Sequence, residues 1–259
     1  MAESLNDKIV LITGASSGIG KSCAQAFAAE GSKLILTARR IDRLRNLSLS
    51  LKEKYDTDSI IFKLDVMSNE NVRYFIGELP MDWQAVDVLI NNAGLSQGLA
   101  KVQNGLLEDW ETMLDTNVKG LLYVTRAILP GMIQRGRGHI INIGSIAGYQ
   151  VYPGGNVYCA SKFAVRALTE GMQIDVVDTP VRVSAVSPGM VETEFSLVRF
   201  KWDDEEKAAN VYKGIDALTP DDVAEAVVFC ATRPAHVNIN ELIIMPTNQA
   251  SANVIFRRP

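Results

Sequence analysis

Histidine and cysteine are scarce in this chain. Its 259 residues hold only His139 and His236, and only Cys23, Cys159 and Cys230. No two cysteines form a CxxC pair, which excludes a thiol redox motif and fits a reducing compartment without a disulfide framework. Metal ligands cluster at short spacing and these residues do not, so no metal site is expected. A Ser-His-Asp hydrolase would need one of the two histidines. The segment Gly144-Ser145-Ile146-Ala147-Gly148 is not the G-x-S-x-G elbow that such chemistry uses. There is no basic excess either: 26 Lys and Arg face 30 Asp and Glu, for a net charge of −4. That balance argues against a nucleic-acid partner. The first apolar run, Ile9 to Ile12, is far too short to span a membrane. Met1 to Lys8 carries Glu3 and Asp7 without a basic cluster, so no signal peptide is expected and the reading is a cytoplasmic protein.

Hydrophobic residues make up 47% of the chain and charged residues 22%, enough apolar content for a large core. Compact aliphatic runs recur at Lys8–Thr13, Lys33–Ala38, Ser59–Leu64, Val86–Ile90, His139–Gly144, Val181–Ser187 and Leu242–Met245. Such runs fit strands buried on both faces of a parallel sheet. Helical spacing fills the intervals Gly18–Glu30, Ile41–Lys54, Asp109–Met132 and Val157–Val177, with Pro130 expected to end or bend the third of these. Alternation of strand and helix predicts an α/β, doubly wound, Rossmann-type sheet. No linker divides the chain, so one dinucleotide-binding and catalytic domain is expected over 1–259. Residues 190–213, directly after Pro188-Gly189, are too long for an ordinary strand-to-helix connection. They are read as a lid over a pocket.

The first strand runs into Thr13-Gly14-Ala15-Ser16-Ser17-Gly18-Ile19-Gly20. Glycines there let the backbone turn tightly beside a pyrophosphate. The following helix offers free N–H groups and its positive dipole end. The loop residues Gly14, Ser16, Ser17, Gly18, Ile19 and Gly20 are therefore assigned to cofactor binding. An NAD site carries an acidic residue at the end of the second strand. Here Ala38 stands in that place and Arg39-Arg40 follow, suited to a 2′-phosphate by charge and forked donors. The cofactor expected is NADP. Asp65 and Val66, after the third strand, are expected to flank the adenine, although an Asp there can equally cap a helix.

Tyr158 and Lys162 lie one helical turn apart on a shared face. A free tyrosine has a pKa of about 10, too high for a base near neutrality, and a nearby ammonium group lowers it. Ser145 follows the fifth strand, where its hydroxyl can hold a substrate oxygen beside Tyr158.

These elements, with Asn91-Asn92-Ala93-Gly94, Asn117 and Pro188-Gly189, resemble the short-chain dehydrogenase/reductase family in order and spacing over nearly the whole chain. The resemblance implies seven parallel strands in the order 3-2-1-4-5-6-7 with helices on both faces. It also implies a catalytic tetrad of Asn117, Ser145, Tyr158 and Lys162. In that reading Tyr158 exchanges the proton, Lys162 lowers its pKa and bonds the nicotinamide ribose, and Ser145 polarises the substrate oxygen. Asn117 supports a water that links Lys162 to a proton relay. Asn91, Asn92, Ala93 and Gly94 shape the cofactor floor, and Pro188, Gly189, Val191 and Thr193 meet the nicotinamide end.

Val191–Phe200, Pro234–Asn240 and Pro246–Gln249 further resemble the NADP-dependent 3-hydroxy acid dehydrogenases. That likeness implies oxidation of L-serine, L-allo-threonine or 3-hydroxypropionate, reduction of the corresponding semialdehydes, and a homotetramer. A small hydroxy acid needs a carboxylate anchor. Arg199, in the lid, is the candidate, against the plainer reading of an ion pair with Glu194 or Glu206. Two other functions stay open: a broad carbonyl reductase acting through NADPH, and a noncatalytic NADP-binding redox sensor. Cys159 is read as a buried, inert thiol on another helix face.

Overall fold

The computed structural model describes residues 3–258. Its strands are β1 (Ile9–Thr13), β2 (Lys33–Ala38), β3 (Ser59–Lys63), β4 (Val88–Asn91), β5 (Gly138–Ile143), β6 (Val181–Pro188) and β7 (Glu241–Ile244). They form one sheet in the order β3-β2-β1-β4-β5-β6-β7, and every neighbouring pair is parallel. This is the order expected from the sequence. Strands β1 and β6 are buried along their whole length; in β1 this reads as a continuous apolar run, whereas β6 also buries Arg182, Ser184 and Ser187.

Alternation within a strand sorts the core into two layers. Val10 and Ile12 pack with Phe27 of α1 (Gly18–Ala29), Leu44 of α2 (Ile41–Tyr55) and Val227 of the helix at Pro220–Ala231. Ile9 and Leu11 face the other way. They meet Phe75 of α3 (Asn69–Gly77) and, further along the chain, Val124 and Val165. α3 and the Pro220–Ala231 helix were not anticipated, although both carry start signals. Ser68 accepts from the Asn71 N–H, and Thr219 and Asp222 form a capping box ahead of Pro220.

The long helical region differs from expectation. It divides into α4 (Leu107–Leu114), a π-helical stretch at Asp115–Gly120, and α5 (Leu121–Arg135). Pro130 does not end α5, which runs on to Arg135 and closes at Gly136 with φ +64. Pro130 and Arg126, whose carbonyl loses its partner, both lie on the exposed face, where water can satisfy that carbonyl. Ile128 and Met132, buried on the opposite side, keep the last turns docked. The next helix, α6, spans Asn156–Asp175. Within 190–213 lie two short helices, α7 (Phe195–Arg199) and α8 (Glu205–Asn210). Pro220–Ala231 is α9. No described helix is long and apolar enough to cross a membrane.

Candidate active site

A cleft of about 580 Å³ opens at the carboxyl ends of the strands. Its wall takes in all of the expected cofactor-loop residues except Gly20, together with Arg39, Arg40, Asp65 and Val66. It also takes in Asn92, Ala93, Gly94, Ser145, Tyr158, Lys162, Pro188, Gly189, Val191 and Thr193. Residues far apart in sequence meet here because parallel strands deliver their following loops to one edge.

The glycine loop is built against the strand next to it. Gly14 has φ +68, and a Cβ on Gly20 would stand 2.4 Å from Asn92 Nδ2 and 2.6 Å from the Gly14 carbonyl oxygen. Asn92 Nδ2 donates to the Thr13 carbonyl at 2.9 Å and to that of Gly14 at 3.2 Å. Thr13 Oγ1 in turn accepts from the Asn92 and Ala93 N–H groups, both at 3.0 Å. Asn92 therefore shapes the loop from beneath. Asn91 points away, into a buried polar ladder with Thr125 and Asn142, each at 2.9 Å. At the start of α1, Ser17 makes no side-chain cap, so the first-turn N–H groups face the cleft without a side-chain partner from it. This combination fits a pyrophosphate.

At the end of β2 the wall carries Ala38 and no carboxylate. Arg39 is exposed in the cleft and makes no ion pair among the described residues. Arg40 is engaged: Nε donates to Ser16 Oγ at 3.3 Å, Nη2 to Ser17 Oγ at 2.7 Å, and Nη1 to Glu194 Oε2 at 3.0 Å. Arg43 reaches both Glu194 oxygens, at 2.6 and 2.9 Å. Partial burial works to raise the Glu194 pKa, but Arg43 and Arg40 outweigh it and hold the carboxyl below its ordinary range. Asp65 Oδ1 accepts from the Met67 N–H at 3.1 Å and closes a turn; it caps no helix, since Ser68 is the N-cap of α3, and it lines the cleft.

The π-helical stretch turns Asn117 inward. Its amide pairs with both backbone groups of Leu95, each at 2.8 Å, and Nδ2 also donates to Ser161 Oγ at 3.0 Å. Asn117 is thereby locked between α6 and the loop after β4. From α6, the Lys162 ammonium donates to the Ile143 carbonyl at 2.8 Å, and burial lowers its pKa to about 8. Ser145 Oγ accepts from the Ala147 N–H at 3.1 Å, fixing the turn that presents it. Tyr158 is 8% exposed. Burial raises its pKa, while the Ser145 hydroxyl and the Arg199 guanidinium oppose that rise. Cys159 is buried, and its thiol pKa is raised, chiefly by burial.

Arg199 pairs with neither Glu194 nor Glu206. Its Nε donates to Ser96 Oγ at 3.2 Å and Nη2 to the Tyr152 hydroxyl at 3.1 Å. The guanidinium carbon stands 5.0 to 5.8 Å from the ring centres of Phe195, Tyr158 and Tyr152. It has no carboxylate partner among the described residues. Arg199 lies beside the main cleft, behind Phe195 and Val198, which line it. Ser96 and Arg43 were not singled out from the sequence, and Glu194 was expected only as a partner of Arg199. No local spacing joins Glu194 to residues so far upstream.

A family model described as short chain dehydrogenase matches residues 8–204. The chain is 49% identical to an NADP-dependent 3-hydroxy acid dehydrogenase of Salmonella typhi, covering 96% of this chain and 99% of that one. It is 46% identical to sulfoacetaldehyde reductase 2 of Chromohalobacter salexigens, over 93% of this chain and 95% of that one. Among solved structures, a closed form of serine dehydrogenase complexed with NADP+ superposes with a TM-score of 0.89 at 47% identity. That match covers 97% of this chain and all of the other. The site geometry and these likenesses agree on one point: the chain belongs to the short-chain dehydrogenase family.

Proposed function

We propose that the protein is an NADP-dependent dehydrogenase of small 3-hydroxy acids, with L-serine, L-allo-threonine and 3-hydroxypropionate as the substrates to test. The carrying observation is the Arg199 guanidinium, free of any carboxylate among the described residues and 5.7 Å from the centre of the Tyr158 ring. It puts a cation suited to a substrate carboxylate one ring away from the group that would take the hydroxyl proton. The relatives named for 3-hydroxy acids and for serine support the same class.

NADP fits the cleft on structural grounds. Gly14 and Gly20 let the loop pack tightly on Asn92 and Ala93, α1 offers its N-terminus, and Arg39 is available for a 2′-phosphate where β2 lacks a carboxylate. When bound, NADP supplies the hydride acceptor. The residues of this chain do the rest. Ser145 holds the substrate oxygen, and Tyr158, as phenolate, takes the hydroxyl proton as the C3 hydride departs. In the reverse direction Tyr158 returns that proton to the carbonyl oxygen. Lys162 contributes positive charge and a donor toward the ribose. Asn117 fixes the loop and the helix that carry this pair. Segment 190–213 acts as the lid, and its residues Phe195, Val198 and Trp202 exclude water over the substrate end.

The testing experiment is NADPH formation from NADP with each of the three acids and with a neutral secondary alcohol, each repeated with NAD. Turnover confined to the acids with NADP is the expected result. Equal turnover of the neutral alcohol replaces this reading with that of a broad carbonyl reductase.

A further inference from the structure

The 2′-phosphate corner of the cleft contains a group that no simple cofactor site requires. Glu194 belongs to the lid, yet its carboxylate lies among the arginines that follow β2. It holds Arg43 with both oxygens, at 2.6 and 2.9 Å, and Arg40 with one, at 3.0 Å. Arg40 is shared. Its other two nitrogens hold the hydroxyls of Ser16 and Ser17, in the loop that would receive the cofactor phosphates. One side chain thus joins the phosphate loop to the lid.

Charge explains why this corner responds to a phosphate. Arg39, Arg40 and Arg43 bring three guanidiniums against a single carboxylate, so the corner keeps a positive excess. A phosphate ester that is close to dianionic at neutral pH is suited to balance it. Arg39 remains without an ion pair among the described residues and is available to read that phosphate, which frees Arg40 to serve as the strut. The lid is fastened on the other side of α7 too: Lys201, with φ +54, reaches the buried Asp109 of α4 at 2.7 Å. The two clasps lie at opposite ends of α7, one at the β2 side of the cleft and one at the α4 side.

We propose that Glu194 is a specificity-positioning residue which, through Arg40 and Arg43, fastens the lid according to whether the bound dinucleotide carries a 2′-phosphate. This rests on the NADP reading given above. NADPH and NADH then differ in how well each secures the lid, beyond the difference in how tightly each binds.

Limited trypsin digestion of the full chain reads this directly, because Arg199, Lys201, Lys207 and Lys213 all lie inside the segment. At saturating cofactor, NADPH is expected to slow cleavage there more than NADH does. In Glu194→Gln that extra protection disappears, while the NADPH dissociation constant, read from nicotinamide fluorescence, moves by less than about threefold, the scale of one exposed ion pair. Glu194→Asp, which keeps the charge, is expected to recover part of the protection. The proposal is overturned if Glu194→Gln retains the NADPH-specific protection, or if the two cofactors protect the wild type equally. It is also overturned if Glu194→Gln binds NADPH about tenfold more tightly, the behaviour of a carboxylate that competes with the phosphate. A wild-type protein that binds neither cofactor overturns the NADP reading itself. That result is distinct from intact binding with unaltered protection.

Discussion

Arg199 and Tyr158 face one another across 5.7 Å, guanidinium carbon to ring centre, with the Tyr152 hydroxyl holding the guanidinium at 3.1 Å. A cation of α7 and a phenol of α6 are therefore parts of one aromatic cluster, closed by Phe195 at 5.5 Å from Tyr158. If Arg199 grips the substrate carboxylate, Arg199→Met should raise KM for a 3-hydroxy acid by about 10- to 100-fold, the worth of a charge-assisted hydrogen bond. Turnover of a neutral alcohol should be far less affected. Steady-state kinetics with both substrate types checks this. An equal loss on both would show that Arg199 supports Tyr158 and not the substrate.

Tyr158 itself is tested by removing one oxygen. Tyr158→Phe keeps the ring that packs on Phe195 and Tyr152 but leaves no group to exchange the proton. Turnover should fall by about 10²- to 10⁴-fold, the usual value of a positioned acid or base. NADPH binding, measured by fluorescence, should persist. Normal activity in this variant would remove Tyr158 from the proton step.

The cofactor corner separates the two neighbouring arginines. Arg39 is exposed in the cleft without an ion pair, whereas Arg40 is bound to Ser16, Ser17 and Glu194. Arg39→Met should weaken NADP binding by about 10- to 100-fold and leave NAD binding nearly unchanged. Adding Ala38→Asp restores the ribose-binding carboxylate of NAD sites and should complete the reversal. Isothermal titration with both cofactors decides it. Undiminished NADP preference in the double variant would place the phosphate contacts elsewhere.

Legibility in the sequence followed the range of the interaction that fixes each feature. The strands were readable because burial on both faces favours uninterrupted aliphatic runs, as at Val10–Ile12 and Leu34–Leu36. The phosphate loop and the Tyr158–Lys162 pair were readable because tight turns and one-turn spacing are local. The π-helical stretch at Asp115–Gly120 was not, since it depends on Asn117 finding the Leu95 backbone and Ser161. The clasp of Glu194 with Arg40 and Arg43 was not readable either, because no local rule joins the lid to α2. At Pro130 a local rule allowed an end or a bend, and the end did not occur, because burial of Ile128 and Met132 keeps the last turns docked.

Lys162 links the chemistry to stability. Burial lowers its pKa from the ordinary 10.5 to about 8 in the folded chain. Below pH 8 the buried ammonium is charged in both states and its desolvation weakens the fold. Above 10.5 it is neutral in both and that cost is gone. Between these limits the unfolded chain holds more protons, so this group makes stability rise with pH. The full span corresponds to about 3 kcal/mol at the standard conversion. Lys162→Met lacks the charge and should be the more stable protein at pH 7, with its advantage vanishing by pH 10.5. Comparing the two variants cancels the opposite trend from buried thiols such as Cys23, whose pKa burial raises to about 12. Urea unfolding of both cofactor-free proteins from pH 7 to 10.5 measures the difference. A gap that stays constant with pH would mean that the Lys162 pKa is the same in the folded and unfolded chain and that burial does not depress it, whereas a gap still changing at full slope down to pH 7 would mean that Lys162 is neutral there.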